Sequence, residues 1–164
     1  MIFITLGSQK FQFNRLLKKI DELIEKKIIS EKVFAQIGYS DYFPVNYDYK
    51  SFLSREEFSD LMKKSTLVIT HGGTGAIITA VKAGKKVIAV PRLAQYREHV
   101  DDHQLQLLKQ FDGMGIILPC YNIEELDEKI LKVEKIRLNP YISNTKIIMD
   151  DIEEFIKNKG EKNE

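Results

Sequence analysis

His71, Gly72, Gly73, Thr74 and Gly75 stand together between a β-branched apolar run and a segment of helical periodicity. The first N–H groups of a helix have no intrahelical partner, and the macrodipole is positive there. A strand–turn–helix junction built from glycines therefore lets an oxyanion reach the backbone. The chemistry implied is the binding of a phosphate or diphosphate. The same glycines also suit a tight, closely packed turn that binds nothing. His71 adds a ring N–H that can donate to the same phosphate and carry positive charge while doing so. Its alternative is a histidine satisfied by backbone near the sheet edge.

Asp102, His103 and Gln104 form a second group. Asp102 suits an N-cap. His103 and Gln104 fall in the first turn of the helix that follows, and their side chains suit the hydroxyls of a polar ligand. Gly7 and Ser8 close a third segment, where a short apolar run stops. Two familiar phosphate motifs fail on spacing. Ile78 stands where a dinucleotide fingerprint needs its third glycine, and no G-x-x-x-x-G-K-[ST] occurs. The histidines at 71, 99 and 103, with the single Cys120, do not make a closed ligand set, so no metal is expected.

These segments need elements to hold them. Residues 2–6 read as a buried strand running into the turn at Gly7 and Ser8. Leu16, Leu17, Ile20, Leu23 and Ile24 recur at three and four spacing, with Lys18, Lys19, Asp21, Glu22 and Glu25 between them, so an amphipathic helix starts near residue 13. A strand over 32–37 stops at Gly38, a polar and aromatic stretch reaches residue 50, and a helix spans 55–64. Residues 66–70 read as a strand covered on both faces. A buried helix over 76–83, with Gly84 just past its end, leads to a strand over 87–90 stopped by Pro91, which makes a βαβ unit. A long loop reaches residue 100. It is followed by a helix over 102–111 with Leu105, Leu107, Leu108 and Phe111 apolar, then a strand over 115–118. Helices over 123–133 and 143–157, separated by Asn139 and Pro140, close the chain, and residues 158–164 form a frayed tail.

This alternation predicts an α/β fold, a Rossmann-like doubly wound parallel sheet forming one domain over 1–157 without internal repeats. Ligands on such sheets bind outside the carboxyl ends of the strands. That rule selects Gly7 and Ser8, residues 71–75, and the loop over 91–104.

Composition narrows the function classes. The 164 residues are enough for one domain, and a hydrophobic fraction of 43% with 30% charge excludes a disordered or collagenous chain. Lys+Arg of 25 against Asp+Glu of 24 leaves a net charge of +1, which gives no global field for nucleic acid or anionic membrane. Any anion must be bound locally. One cysteine allows no intrachain disulfide, the first residues lack the pattern of a secretory signal, and no run approaches ~18 apolar residues. A cytoplasmic location is expected. Six of the 16 aromatics, Tyr39, Tyr42, Phe43, Tyr47, Tyr49 and Phe52, fall within residues 39–52. They make either a protein-binding surface or an aromatic mini-core.

The sequence over 70–75, THGGTG, followed by AGKKVIAVP over 83–91 and by Asp102, His103 and Gln104, resembles the nucleotide-sugar half of GT-B glycosyltransferases of family 28. It is similar to the short, PssE-type second subunits of bacterial capsular and exopolysaccharide glycosyltransferases. It is also similar to the cytosolic subunit of the eukaryotic dolichol-linked GlcNAc transferase. The segments ITLGS over 4–8 and FQFNRL over 11–16 fit as well, so the match covers about residues 1–118.

The resemblance implies the catalytic, donor-binding subunit of a two-chain enzyme. Such an enzyme transfers a hexose, of galactose or GlcNAc type, from a UDP-sugar to a lipid-linked saccharide in capsule or exopolysaccharide synthesis. The implied partner is a membrane-associated, acceptor-binding subunit that holds the chain at the inner face of the membrane. Self-association is the expectation when that partner is absent, and no nucleic acid is involved. By the same resemblance, Gly7, Ser8, His71, Gly72, Gly73, Thr74 and Gly75 hold the diphosphate, Phe52 and Leu53 flank the uracil, and Asp102, His103 and Gln104 face the sugar. His71 and the helix N-terminus stabilise charge growing on the departing UDP, with no metal or other cofactor. Many GT-B enzymes hold the ribose with a glutamate eight residues after the position of His71, and here Thr79 stands there. The alternative function is a UDP-sugar-binding regulatory subunit without turnover.

Overall fold

Ile2 and Ile4 of strand β1 (Ile2–Thr5) pack on one side of the sheet and Phe3 on the other, as the two-residue period of a strand requires. The computed structural model describes residues 1–143. The remaining elements are α1 (Asn14–Glu25), β2 (Val33–Gln36), β3 (Asp48–Lys50), α2 (Arg55–Lys64), β4 (Leu67–His71), α3 (Thr74–Lys82), β5 (Lys86–Val90), α4 (His103–Gly113), β6 (Leu118–Pro119) and α5 (Leu126–Val133). The strands form one sheet in the order β3-β2-β1-β4-β5-β6, and every neighbouring pair is parallel.

Helices cover both faces. Leu16, Leu17, Ile20 and Leu23 of α1 and Leu126, Ile130 and Val133 of α5 bury against Ile4, Ile69, Ile88 and Val90. On the other face Met62 of α2, Ile77, Ala80 and Val81 of α3, and Leu108 and Phe111 of α4 bury against Phe3, Val68, Val87 and Ala89. Each large aliphatic side chain so buried contributes on the order of 2 kcal/mol. The result is the doubly wound parallel sheet that the alternation predicts, and α2 occupies the predicted residues. Ser54 and Glu57 form a reciprocal capping box at its start.

Several expectations need correction. The stretch after Gly38 contains β3, a three-residue edge strand exposed at every position, so it carries no apolar pattern to announce it. The strand expected over 115–118 is the two-residue β6, because Gly115 takes a left-handed φ of +68° to end α4. Helix α3 begins at Thr74 rather than 76, which puts Gly75 inside its first turn. The loop after Pro91 contains a 3₁₀ turn at Ala94–Tyr96.

The polar residues of α1 are not all outward. Lys19 is buried and donates to Glu124 at 2.7 Å. Asp21 is buried and accepts from the Tyr42 hydroxyl at 2.7 Å and the N–H groups of Val45 and Asn46 at 2.9 and 2.8 Å. That carboxylate organises the loop between β2 and β3 and pushes the Tyr42 phenol up to about 12. The expected helix over 143–157 and the tail over 158–164 lie, from residue 144 onward, outside the described residues.

Candidate functional site

The chain leaves β1 through Gly7, with a φ of +71° that favours glycine. There is also no room for a side chain at that position. A Cβ on Gly7 would lie 2.8 Å from Cε1 of His71, and one on Gly73 would lie 2.2 Å from Nε2 of His71. The His71 ring therefore sits between the two glycine turns that end β1 and β4. Those two strands are neighbours, and the chain winds outward from them to both sheet edges. This is the switch point at which such sheets bind ligands.

His71 is 6% exposed, and burial, followed by the positive charge of Arg92, pulls its imidazole down to about 4. The ring is thus neutral in the free chain at neutral pH, and the positive charge expected of it has to be induced by a bound anion. The Thr70 hydroxyl donates to the Thr5 carbonyl at 2.8 Å and lies 3.4 Å from Nδ1. An oxygen whose own proton is already committed favours a proton on Nδ1, which leaves the Nε2 lone pair toward Gly73.

Gly73 occupies the N-cap of α3, and no side chain caps the helix. Thr74 and Gly75 are exposed, and a Cβ on Gly75 would meet nothing within 4 Å. The first N–H groups of α3 therefore face open space, with the helix dipole behind them. Gly72 behaves differently. A Cβ there would lie 2.6 Å from Leu108 and 2.8 Å from Gln104, so α4 presses directly on the turn.

Gln104 is 4% exposed, and its Oε1 accepts from the N–H groups of Gly72 at 3.0 Å and Arg92 at 2.9 Å. Its oxygen holds the turn in place. Asp102 occupies the N-cap position of α4 but caps nothing, because its Oδ1 accepts from the Ala94 N–H at 2.8 Å. The capping contact comes from Asp101, whose Oδ1 accepts from the His103 N–H at 3.0 Å, which holds that carboxyl below its ordinary value. His103 is exposed on the same rim. His99 is four residues from His103 but precedes α4, so the two do not share a helical face. Among the described residues, no group of three or more His, Cys, Asp or Glu is placed to hold a metal.

Ser8 is exposed beside Gly7. Phe52 is 45% exposed and meets Tyr39 edge to face at 5.2 Å, at the carboxyl ends of β2 and β3. Leu53, expected beside it, is half-buried and packs into the core on the α2 face. The other aromatics of residues 39–52 divide as well. Tyr42 and Tyr47 turn inward, Tyr47 donating to the Leu17 carbonyl at 3.0 Å, while Tyr39, Phe43, Tyr49 and Phe52 are exposed.

The sequence reading overlooked Arg92, Glu98 and Arg15. Arg92 and Glu98 are both 0% exposed, while Arg97 of the same loop is exposed. Arg15 grips Glu98 with two hydrogen bonds of 2.9 Å. The one available signal was a basic residue two positions past a strand end, after Pro91, on the ligand side of the sheet.

Residues 1–158 match the glycosyltransferase family 28 C-terminal domain. The chain belongs to that family. Relatives include the human UDP-N-acetylglucosamine transferase subunit ALG13, 28% identical over 131 residues, which are 73% of this chain and 11% of that protein. The subunit of the same name from Cryptococcus neoformans is 32% identical over 82 residues, 49% of this chain and 38% of that protein. The chain thus spans well under half the length of either relative. The solution structure of ALG13 superposes with a TM-score of 0.58 at 18% identity, covering 92% of this chain and 93% of that one. MurG of Acinetobacter baumannii superposes at 0.56 with 20% identity, over 81% of this chain and 40% of that one. At those identities the likeness is one of fold, and it matches the GT-B type half-domain expected.

Proposed function

We propose that this family 28 domain is the donor-binding, catalytic subunit of a two-chain glycosyltransferase that moves a hexose from a UDP-sugar to a lipid-linked saccharide in capsule or exopolysaccharide synthesis. The observation that carries this reading is the uncapped N-terminus of α3, opening at the switch point beside His71 and Gly7. Relatives named as subunits of a UDP-N-acetylglucosamine transferase support both the donor class and the need for a partner.

Gly7, Ser8 and residues 72–75 take the diphosphate, Phe52 the uracil, and Asp102 and His103 the sugar, while Gln104 keeps the turn in register. The acceptor hydroxyl oxygen bonds to the anomeric carbon as the bond from that carbon to the β-phosphate oxygen breaks. The electron pair leaves with UDP, and the hydroxyl proton goes to a base contributed with the acceptor. Charge thus grows on the diphosphate, beside the α3 N–H groups and beside His71, whose Nε2 donates once the anion has drawn a proton onto it, and such donors are worth on the order of 3 kcal/mol each. No metal is called on. In this reading the membrane-associated partner holds the chain at the cytoplasmic face; no helix among the described residues is long and apolar enough to cross a membrane.

The test is reconstitution. The purified chain is assayed with a panel of UDP-sugars and lipid-linked acceptors, with and without the partner subunit in a membrane fraction. Transfer only in the combined sample is the expected result. UDP binding without transfer in any combination would favour the regulatory reading, and full transfer by the single chain would overturn the two-subunit one.

A further inference from the structure

Arg92 is among the largest fully buried side chains of the described residues. It leaves the carboxyl end of β5, and its Nη2 donates to the carbonyls of Leu6 at 2.8 Å and Phe11 at 3.3 Å, on either side of the Gly7 and Ser8 turn. In the sheet order β1-β4-β5 the side chain must cross the end of β4, the strand that finishes in His71. Nε and Nη1 have no hydrogen-bond partner. Glu98, at 0% exposure, is committed to Arg15 and to the Leu93 N–H at 3.0 Å. The trio of Arg15, Glu98 and Arg92 therefore carries a net positive charge, and the Arg92 guanidinium lies over the Phe13 ring at 5.6 Å, with Nε and Nη1 still unpartnered.

We propose that Arg92 is a positioning residue whose buried charge is the counter-charge of the donor diphosphate. It pins the Gly7 turn through two carbonyls and places a cation beneath the junction of β1 and β4, while the N–H groups of α3 approach from above. This rests on reading that junction as a UDP-sugar site. An interior charge acts over a longer distance than one in water, so direct contact with the phosphates is not required. Burial pulls the guanidinium down to about 10, which leaves it protonated at neutral pH. Unpartnered donors and unpaired charge are costly inside a protein, and an anion arriving at the site compensates that cost.

The experiment measures binding of UDP and of uridine to the full chain by calorimetry, for wild type, Arg92→Met and Arg92→Lys. Arg92→Met should weaken UDP about tenfold or more and uridine less than twofold, and Arg92→Lys should stay within threefold of wild type for UDP. A clamp without an electrostatic role would lose UDP equally in both variants, and that result, or wild-type affinity in Arg92→Met, would overturn the proposal. If Arg92→Met does not fold, the wild-type Arg92 Nε–H resonance decides: a shift with UDP but not with uridine supports the role, and none refutes it. Absence of UDP binding by wild type would instead remove the donor-site reading itself.

Discussion

The side-chain oxygen of Gln104 accepts a hydrogen bond from the backbone N–H of Gly72 at 3.0 Å, and the same oxygen takes the N–H of Arg92 at 2.9 Å. Helix α4 thereby fastens the carboxyl ends of β4 and β5 together. The glycine turn, which has no side chains with which to hold itself, is positioned from outside.

Replacing Gln104 by Leu strands two buried N–H donors, each costing roughly 1–3 kcal/mol when unsatisfied. The expected loss in urea unfolding is about 3 kcal/mol, together with loss of UDP binding. Gln104→Glu, which keeps an acceptor at that place, should be milder. Equal stability of Gln104→Leu and wild type would show that the contact does not order the turn.

The glycines should respond unequally. Gly73→Ala forces the His71 ring out of place, since the new Cβ would lie 2.2 Å from Nε2, whereas Gly75→Ala meets open space and should stabilise α3 by up to about 1 kcal/mol. Gly75→Val should leave the fold intact and block UDP by screening the helix N–H groups. NMR titration with UDP checks this, and a Gly75→Val chain that binds UDP normally would place the anion elsewhere.

Stability should depend on pH through His71. Its folded value of about 4 lies below the ordinary 6.5, so between these values the unfolded chain holds the proton and the folded chain does not. Stability is therefore complete above about pH 6.5 and falls as pH drops toward 4, by up to about 3 kcal/mol. Unfolding free energies measured across this window for wild type and His71→Gln should diverge at the upper end and converge at the lower. Parallel curves would mean that the ring is not held neutral by burial.

In the reconstituted enzyme, His71→Ala should lower kcat more than it raises the Kd for UDP-sugar, because a contact with growing charge on the leaving group acts mainly on the transition state. His103→Ala should instead weaken discrimination between sugars. Steady-state kinetics over a panel of donors separates the two, and unchanged kcat in His71→Ala would contradict the role given to the ring.

Much was legible from sequence because it is written locally. The three- and four-residue spacing of Leu16, Leu17, Ile20 and Leu23 made α1, and the β-branched run into His71 made β4, since periodicity and chain stiffness act within one element. The glycines of residues 72–75 marked the turn between β4 and α3 for the same reason, as did the order of strands and helices for the fold class. Tertiary structure decided what depends on contacts far apart in sequence. Gln104 reaches Gly72 across 32 residues and Arg92 reaches Leu6 across 86, and both depend on a strand order that parallel crossovers leave unspecified locally. Asp21 looked like a solvated position because polarity shows in a sequence and a buried hydrogen-bond partner such as Tyr42 does not. The neutrality of His71 belongs to the same class. An imidazole's proton affinity is set by the dielectric and charges packed around it, and here those come from burial and from Arg92, which surround the ring only once the chain is folded.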